Sequence, residues 1–166
     1  MAKFIKSILL LTLLVLPFLL SAVFYCLDKV YFLCPLPYAW DMMIRNDSRG
    51  EGFYAATRNG GRMHNGIDLL AKMDTPVMAA RCGKASVLEQ KNGMGNYVII
   101  RHTYDLSTLY GHLSKVEAKD GSWVRQGEVI GRVGKTGNAN HPDMQSHLHF
   151  EVRKDNIIEN PMDYLE

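Results

Sequence analysis

The stretch S-H-L-H-F-E-V, residues 146–152, sets His147 and His149 two positions apart. In a strand, residues two apart project to one side. The two imidazoles therefore share a face, and Leu148, Phe150 and Val152 take the other. Alone, such a pair reads equally as a solvated polar face and as part of a site. A second stretch, M-H-N-G-I-D-L-L at 63–70, separates His64 from Asp68 by an even four positions. Asn65 and Gly66 weigh against a helix there, so both side chains face one side of an extended segment. Asp68 sits among Ile67, Leu69, Leu70 and Ala71, where an ionised carboxylate needs a partner to offset its desolvation. Imidazole nitrogen and carboxylate oxygen are good Zn²⁺ ligands, and three ligands with an open fourth position make a catalytic zinc site. His64, Asp68 and one histidine of the pair would supply the three. The other would stand beside the metal to exchange protons.

Three more histidines complete the inventory. His112, in T-L-Y-G-H-L-S, follows Tyr110 by two positions, so strict alternation puts both on one face. His102 ends an apolar stretch and His141 lies in the loop G-N-A-N-H-P-D; surface roles are expected for both.

Strands must position these groups. Short apolar stretches recur at 75–80, 84–88, 96–102, 107–113, 128–133 and 146–152, separated by turns such as N-G-M-G-N. This spacing indicates an all-β, antiparallel domain over residues 51–166. No stretch after residue 33 keeps a helical period for more than two turns, and no internal repeat is present. Residues 28–50 read as a linker, with Pro35 and Pro37 discouraging helix in a lead-in that stays outside the core.

The first 27 residues are of another kind. Lys3 and Lys6 precede an uncharged apolar run over residues 8–27, about the length a bilayer-spanning helix needs. The expectation is one N-terminal transmembrane helix, with the lysines cytoplasmic and the later residues outside. A secretory signal removed by cleavage is the alternative, disfavoured by the bulky Val23, Phe24 and Tyr25 near the end of the run. The other 17 basic residues balance 17 acidic ones, which gives no electrostatic reason to bind nucleic acid. Outside the cytoplasm Cys34 and Cys82 could pair; Cys82 reads equally as a small buried residue.

H-N-G-I-D, Y-G-H-L-S and S-H-L-H-F-E-V, in that order, resemble the LytM/lysostaphin-type zinc endopeptidases of bacterial cell walls. T-P-V-M-A-A, V-R-Q-G-E-V-I-G-R-V-G-K-T-G and N-P-M-D-Y-L extend the resemblance over roughly residues 52–165. It implies one zinc ion per chain held by His64, Asp68 and His149, with His112 and His147 as catalytic neighbours. Tyr110 becomes a candidate oxyanion donor, and Glu151 a candidate for orienting a ligand histidine from behind. It also implies hydrolysis of cross-link or stem peptides of peptidoglycan in the cell envelope. The rival role is a non-enzymatic wall-binding module or an activator of another hydrolase. The loop N-A-N-H-P-D-M-Q-S at 138–146 departs from the family's short glycine-proline approach, which leaves substrate preference open.

Overall fold

The computed structural model describes residues 12–17, 31–38, 41–58 and 60–165. In chain order its strands are β1 (Asn46–Asp47), β2 (Gly50–Glu51), β3 (Ile67–Leu70), β4 (Pro76–Met78), β5 (Gly83–Gln90) and β6 (Gly95–Arg101), then β7 (Leu106–Leu113), β8 (Lys115–Val116), β9 (Trp123–Val124), β10 (Val129–Arg132), β11 (His147–Lys154) and β12 (Ile157–Glu159). All pairings between them are antiparallel. The main sheet runs β12-β11-β7-β6-β5-β9, a second sheet runs β4-β10-β8, and β1 and β2 form a small hairpin. The fold is all-β, as expected, and each of the six apolar stretches contains a strand.

β11 is central because both of its edges are used. One edge pairs with β7; the other pairs with β3 over 147–150 and with β12 over 152–154. Leu148, Phe150 and Val152 are fully buried. Each such side chain contributes ~1.5–3 kcal/mol relative to exposure. The register places His149 opposite Asp68 on one side and Gly111 on the other. Gly66 makes the β3 approach feasible: a Cβ there would stand 2.2 Å from the Phe150 carbonyl oxygen.

The segment read as a lead-in is packed into the fold. Phe32 and Leu36 belong to the core and Arg45 is buried. Residues 43–52 lie along the outer edge of β3: Arg45 N–H donates to Asp68 O, Asp68 N–H to Gly52 O, and Leu70 N–H to Met43 O. The reason is that β3 is an edge strand whose buried backbone groups need partners. Prolines and polar residues suggested a loose segment, but a cover of this kind needs only short extended pieces.

Of the apolar run, residues 12–17 are helical; the remainder of the expected transmembrane helix, with Cys26, lies outside the described residues. No described helix is long and apolar enough to cross a membrane. No disulfide joins Cys34 to Cys82, and Cys82 is buried.

Candidate metal centre

β11 and the end of the 53–70 segment bring three ligand atoms together. His64 Nε2 lies 3.1 Å from Asp68 Oδ1, His149 Nδ1 lies 2.9 Å from the same oxygen, and the two ring nitrogens are 3.0 Å apart. All three residues are buried. The period-two reading of His147, His149 and Glu151 holds, since all three line one groove with His64 and Asp68.

Their outer partners decide what these atoms offer. His64 Nδ1 faces the Phe53 carbonyl oxygen at 2.8 Å, and His149 Nε2 faces Glu151 Oε1 at 3.1 Å. Those oxygens only accept, so the nitrogens facing them carry hydrogen, a tautomer assigned from the partners. In neutral rings, His64 Nε2 and His149 Nδ1 are then bare lone pairs, both aimed at a carboxylate oxygen. Three acceptors converging without a donor require a cation. Two imidazoles and one carboxylate suit Zn²⁺, and each ligand is already held by a second hydrogen bond, as metal ligands usually are. The residues therefore fit zinc.

Without a metal, a proton serves as that cation. Burial opposes charge on His149, but hydrogen bonds and charge from Asp68 and Glu151 raise its pKa to about 9. Burial would raise the Asp68 carboxyl, yet the imidazoles of His149 and His64 hold it well below the usual carboxylate range. Glu151 is fully buried; burial pushes it up, and the His149 and Arg153 side chains bring it below its ordinary value.

The other two site histidines are arranged differently. His147 Nδ1 donates to Gln145 O at 2.7 Å, and His112 Nδ1 to Thr136 O at 3.0 Å. Each thus has its Nε2 lone pair free of a backbone partner. Their ring centroids are 5.1 Å apart, and that of His112 is 5.8 Å from His149. Burial, then the charges of His149 and His147, lowers the His112 pKa to about 3. The His112 ring is therefore neutral at pH 7, and burial disfavours charge on His147 as well, lowering its pKa.

Tyr110 does not reach the site. Its hydroxyl is fully buried, accepting from Ala80 N–H at 2.8 Å and bonded to Thr108 Oγ1 at 2.9 Å, and its ring stands 5.3 Å from Phe150. The shared face expected for Tyr110 and His112 fails because His112 has φ +62°. A left-handed residue breaks the alternation of an extended strand and turns the His112 ring from the core toward the groove. Tyr110, the candidate oxyanion donor, thus lies in the core and does not line the groove. His102 is half-buried, bonded to Cys82 O and Thr108 Oγ1, and His141 lies in its loop; neither lines the groove.

Two residues were not anticipated from the sequence. Asp68 Oδ2 accepts from Arg45 Nη2 at 3.0 Å and from Arg58 Nη2 at 2.9 Å. The signal was present: a carboxylate among apolar neighbours demanded cations, and these arginines are the cations, though spacing alone did not single them out. The groove has a volume of about 720 Å³. Its rim carries Arg49 and Arg62, whose guanidinium groups have no hydrogen-bond or ion-pair partner among the described residues, together with Met63, Met94 and Met144.

The chain is similar to known proteins. Over 101 residues the chain is 45% identical to the DD-carboxypeptidase/endopeptidase Mpg of Neisseria meningitidis serogroup B, covering 61% of this chain and 22% of that protein. It is 38% identical over 100 residues to the peptidoglycan DD-endopeptidase ShyC of Vibrio cholerae, covering 60% and 22%. The chain thus spans about a fifth of the length of these curated relatives. Among solved structures, the SpoIIQ-SpoIIIAH pore forming complex contains a chain that matches with a TM-score of 0.67 and 26% identity, covering 83% of this chain and 93% of that one. The model of peptidase family M23 matches residues 62–161, more than half of the sequence and four of the five site residues on β3, β7 and β11 together with His64, and on that match the chain belongs to peptidase family M23.

Proposed function

We propose that this protein is a zinc-dependent endopeptidase that hydrolyses peptide bonds in the cross-links or stem peptides of bacterial peptidoglycan, with one zinc per chain. The observation that carries this reading is the convergence of three lone pairs beside two further imidazoles, those of His112 and His147. Binding a metal for structure alone gives no reason for the second pair. His64, Asp68 and His149 would hold the zinc, which when bound would supply a Lewis acid for activating water and polarising the scissile carbonyl. His112 and His147 each offer a bare Nε2, which can accept a proton from the attacking water and return it to the leaving amine. Once protonated, either ring can donate a hydrogen bond to the developing oxyanion. Glu151 holds the His149 ring by its remote nitrogen, and Arg45 and Arg58 hold the Asp68 oxygen that faces away from the cluster.

Wall peptides carry free carboxylates, and the unpaired Arg49 and Arg62 on the groove rim suit such a substrate. ShyC is named for action on peptidoglycan, which supports the same substrate class. The apolar run at residues 8–27 is proposed to anchor the chain in the cytoplasmic membrane with the domain outside. Recovery only as a shorter, soluble form would contradict the anchor. A binding or activating role is the second reading, favoured by the match to a chain of a protein–protein complex. Zinc-loaded protein should release peptides from cross-linked peptidoglycan; stoichiometric zinc with no turnover on any wall peptide would favour the second reading.

A further inference from the structure

Residues 45–47 precede the family-matched region, yet they join both halves of the site. Arg45, 2% exposed, donates to Asp68 Oδ2 from Nη2 and Nε at 3.0 and 3.3 Å. Its Nη1 donates to Asp47 Oδ1. The other oxygen of Asp47 accepts from Gln145 N–H at 2.8 Å, across 98 positions of sequence. Gln145 O in turn accepts from His147 Nδ1 at 2.7 Å. An ordinary turn aspartate would bond only its local backbone, and Asp47 does that too, through Arg49 N–H at 2.9 Å. The bond to Gln145 has no such local explanation.

We propose that Arg45 and Asp47 are positioning residues that set the two halves of the site together: Arg45 fixes the carboxylate of Asp68, and Asp47 fixes His147 by anchoring Gln145. The proposal rests on the zinc-site reading of His64, Asp68 and His149. His147 is the first residue of β11 and follows the loop at 138–146, so its ring orientation depends on where that loop ends. Asp47 ties that end to the same hairpin whose arginine grips a ligand. The carbonyl of Gln145 then keeps hydrogen on Nδ1 and leaves Nε2 bare, the form a proton acceptor needs.

The test uses the full chain, zinc-loaded and ¹⁵N-labelled at histidine. In the wild type, His147 shows a protonated Nδ1 and a bare Nε2. Asp47→Asn keeps the shape but loses one accepting oxygen. It should leave zinc affinity unchanged while the His147 signals become a mixture of tautomers, with kcat lowered at constant KM. Arg45→Met should instead weaken zinc binding by ~10–100-fold, the range for losing a partner behind a metal ligand, and Arg45→Lys should restore part of it. An Nε2-protonated His147 in the wild type overturns the proposal. So do wild-type imidazole signals in Asp47→Asn, or wild-type zinc affinity in Arg45→Met. If Asp47→Asn does not fold, the wild-type tautomer and the Arg45 pair decide. Zinc affinity and tautomer need no turnover, so a chain that cuts no wall peptide refutes the peptidase reading without deciding this one.

Discussion

β11 and β7 are neighbours in one sheet and deliver their histidines to one groove by opposite means. On β11, His147 and His149 keep the alternation of an extended strand, and Leu148 and Phe150 between and beyond them stay in the core. On β7, Tyr110 is in the core and His112, two positions later, is in the groove, because φ at His112 is +62°. Regular backbone gives a rigid pair at fixed spacing, which suits a metal ligand with a neighbour. An inverted residue places a group that period-two geometry would have buried.

Substitutions that separate these two regions should be graded in size. The largest effect is expected at His149. His149→Ala removes a ligand and should weaken zinc binding by more than about 100-fold, beyond the range for outer partners, as titration with a competing chelator would show. His112→Ala should keep stoichiometric zinc yet lose ~10²–10⁴-fold in kcat on a wall-peptide substrate, the usual share of a general acid–base. Equal zinc loss in both variants would erase the distinction between the strands.

A smaller effect is expected in the core. Tyr110→Phe should leave turnover unchanged but cost ~1–3 kcal/mol in denaturant unfolding, because the buried Ala80 N–H loses its acceptor. Loss of activity without loss of stability would return Tyr110 to the site. The backbone difference gives a finer contrast. His112→Gly should be about 1 kcal/mol more stable than His112→Ala, since alanine resists positive φ. At His147, in regular strand, the order should reverse, with glycine the less stable.

These contrasts also explain how far the sequence carries. The six apolar stretches, the shared face of His147, His149 and Glu151, and the pairing of His64 with Asp68 were all legible, because they follow from period-two geometry and the cost of a lone buried carboxylate. The inversion at His112 was not, because nothing in Y-G-H-L announces a left-handed histidine. Arg45 and Asp47 were also hidden. Their role depends on which edge of β3 the chain comes back to cover, and that is a long-range pairing rather than a local pattern. The same holds for Phe32 and Leu36, whose burial in the core no spacing around Pro35 and Pro37 foretold.

The smallest expected effect is a proton. With its pKa at about 9 in the metal-free fold, His149 is charged at pH 7 and must lose that proton when zinc binds. The dependence of binding enthalpy on buffer should therefore report about one proton released at pH 7, vanishing as pH rises above about 9. The sign for folding is fixed likewise: the raised pKa stabilises the metal-free protein fully below the free-histidine value of ~6.5 and ceases to do so as pH rises through about 9. A release that grows with pH would contradict the assignment.

Mass spectrometry of the products from cross-linked peptidoglycan treated with the zinc-loaded full chain tests the central claim most directly. New peptide termini are expected with the wild type and none with His112→Ala, although that variant should still hold zinc. Zinc-loaded wild type that generates no new termini, or His112→Ala that generates them at the wild-type rate, would contradict it.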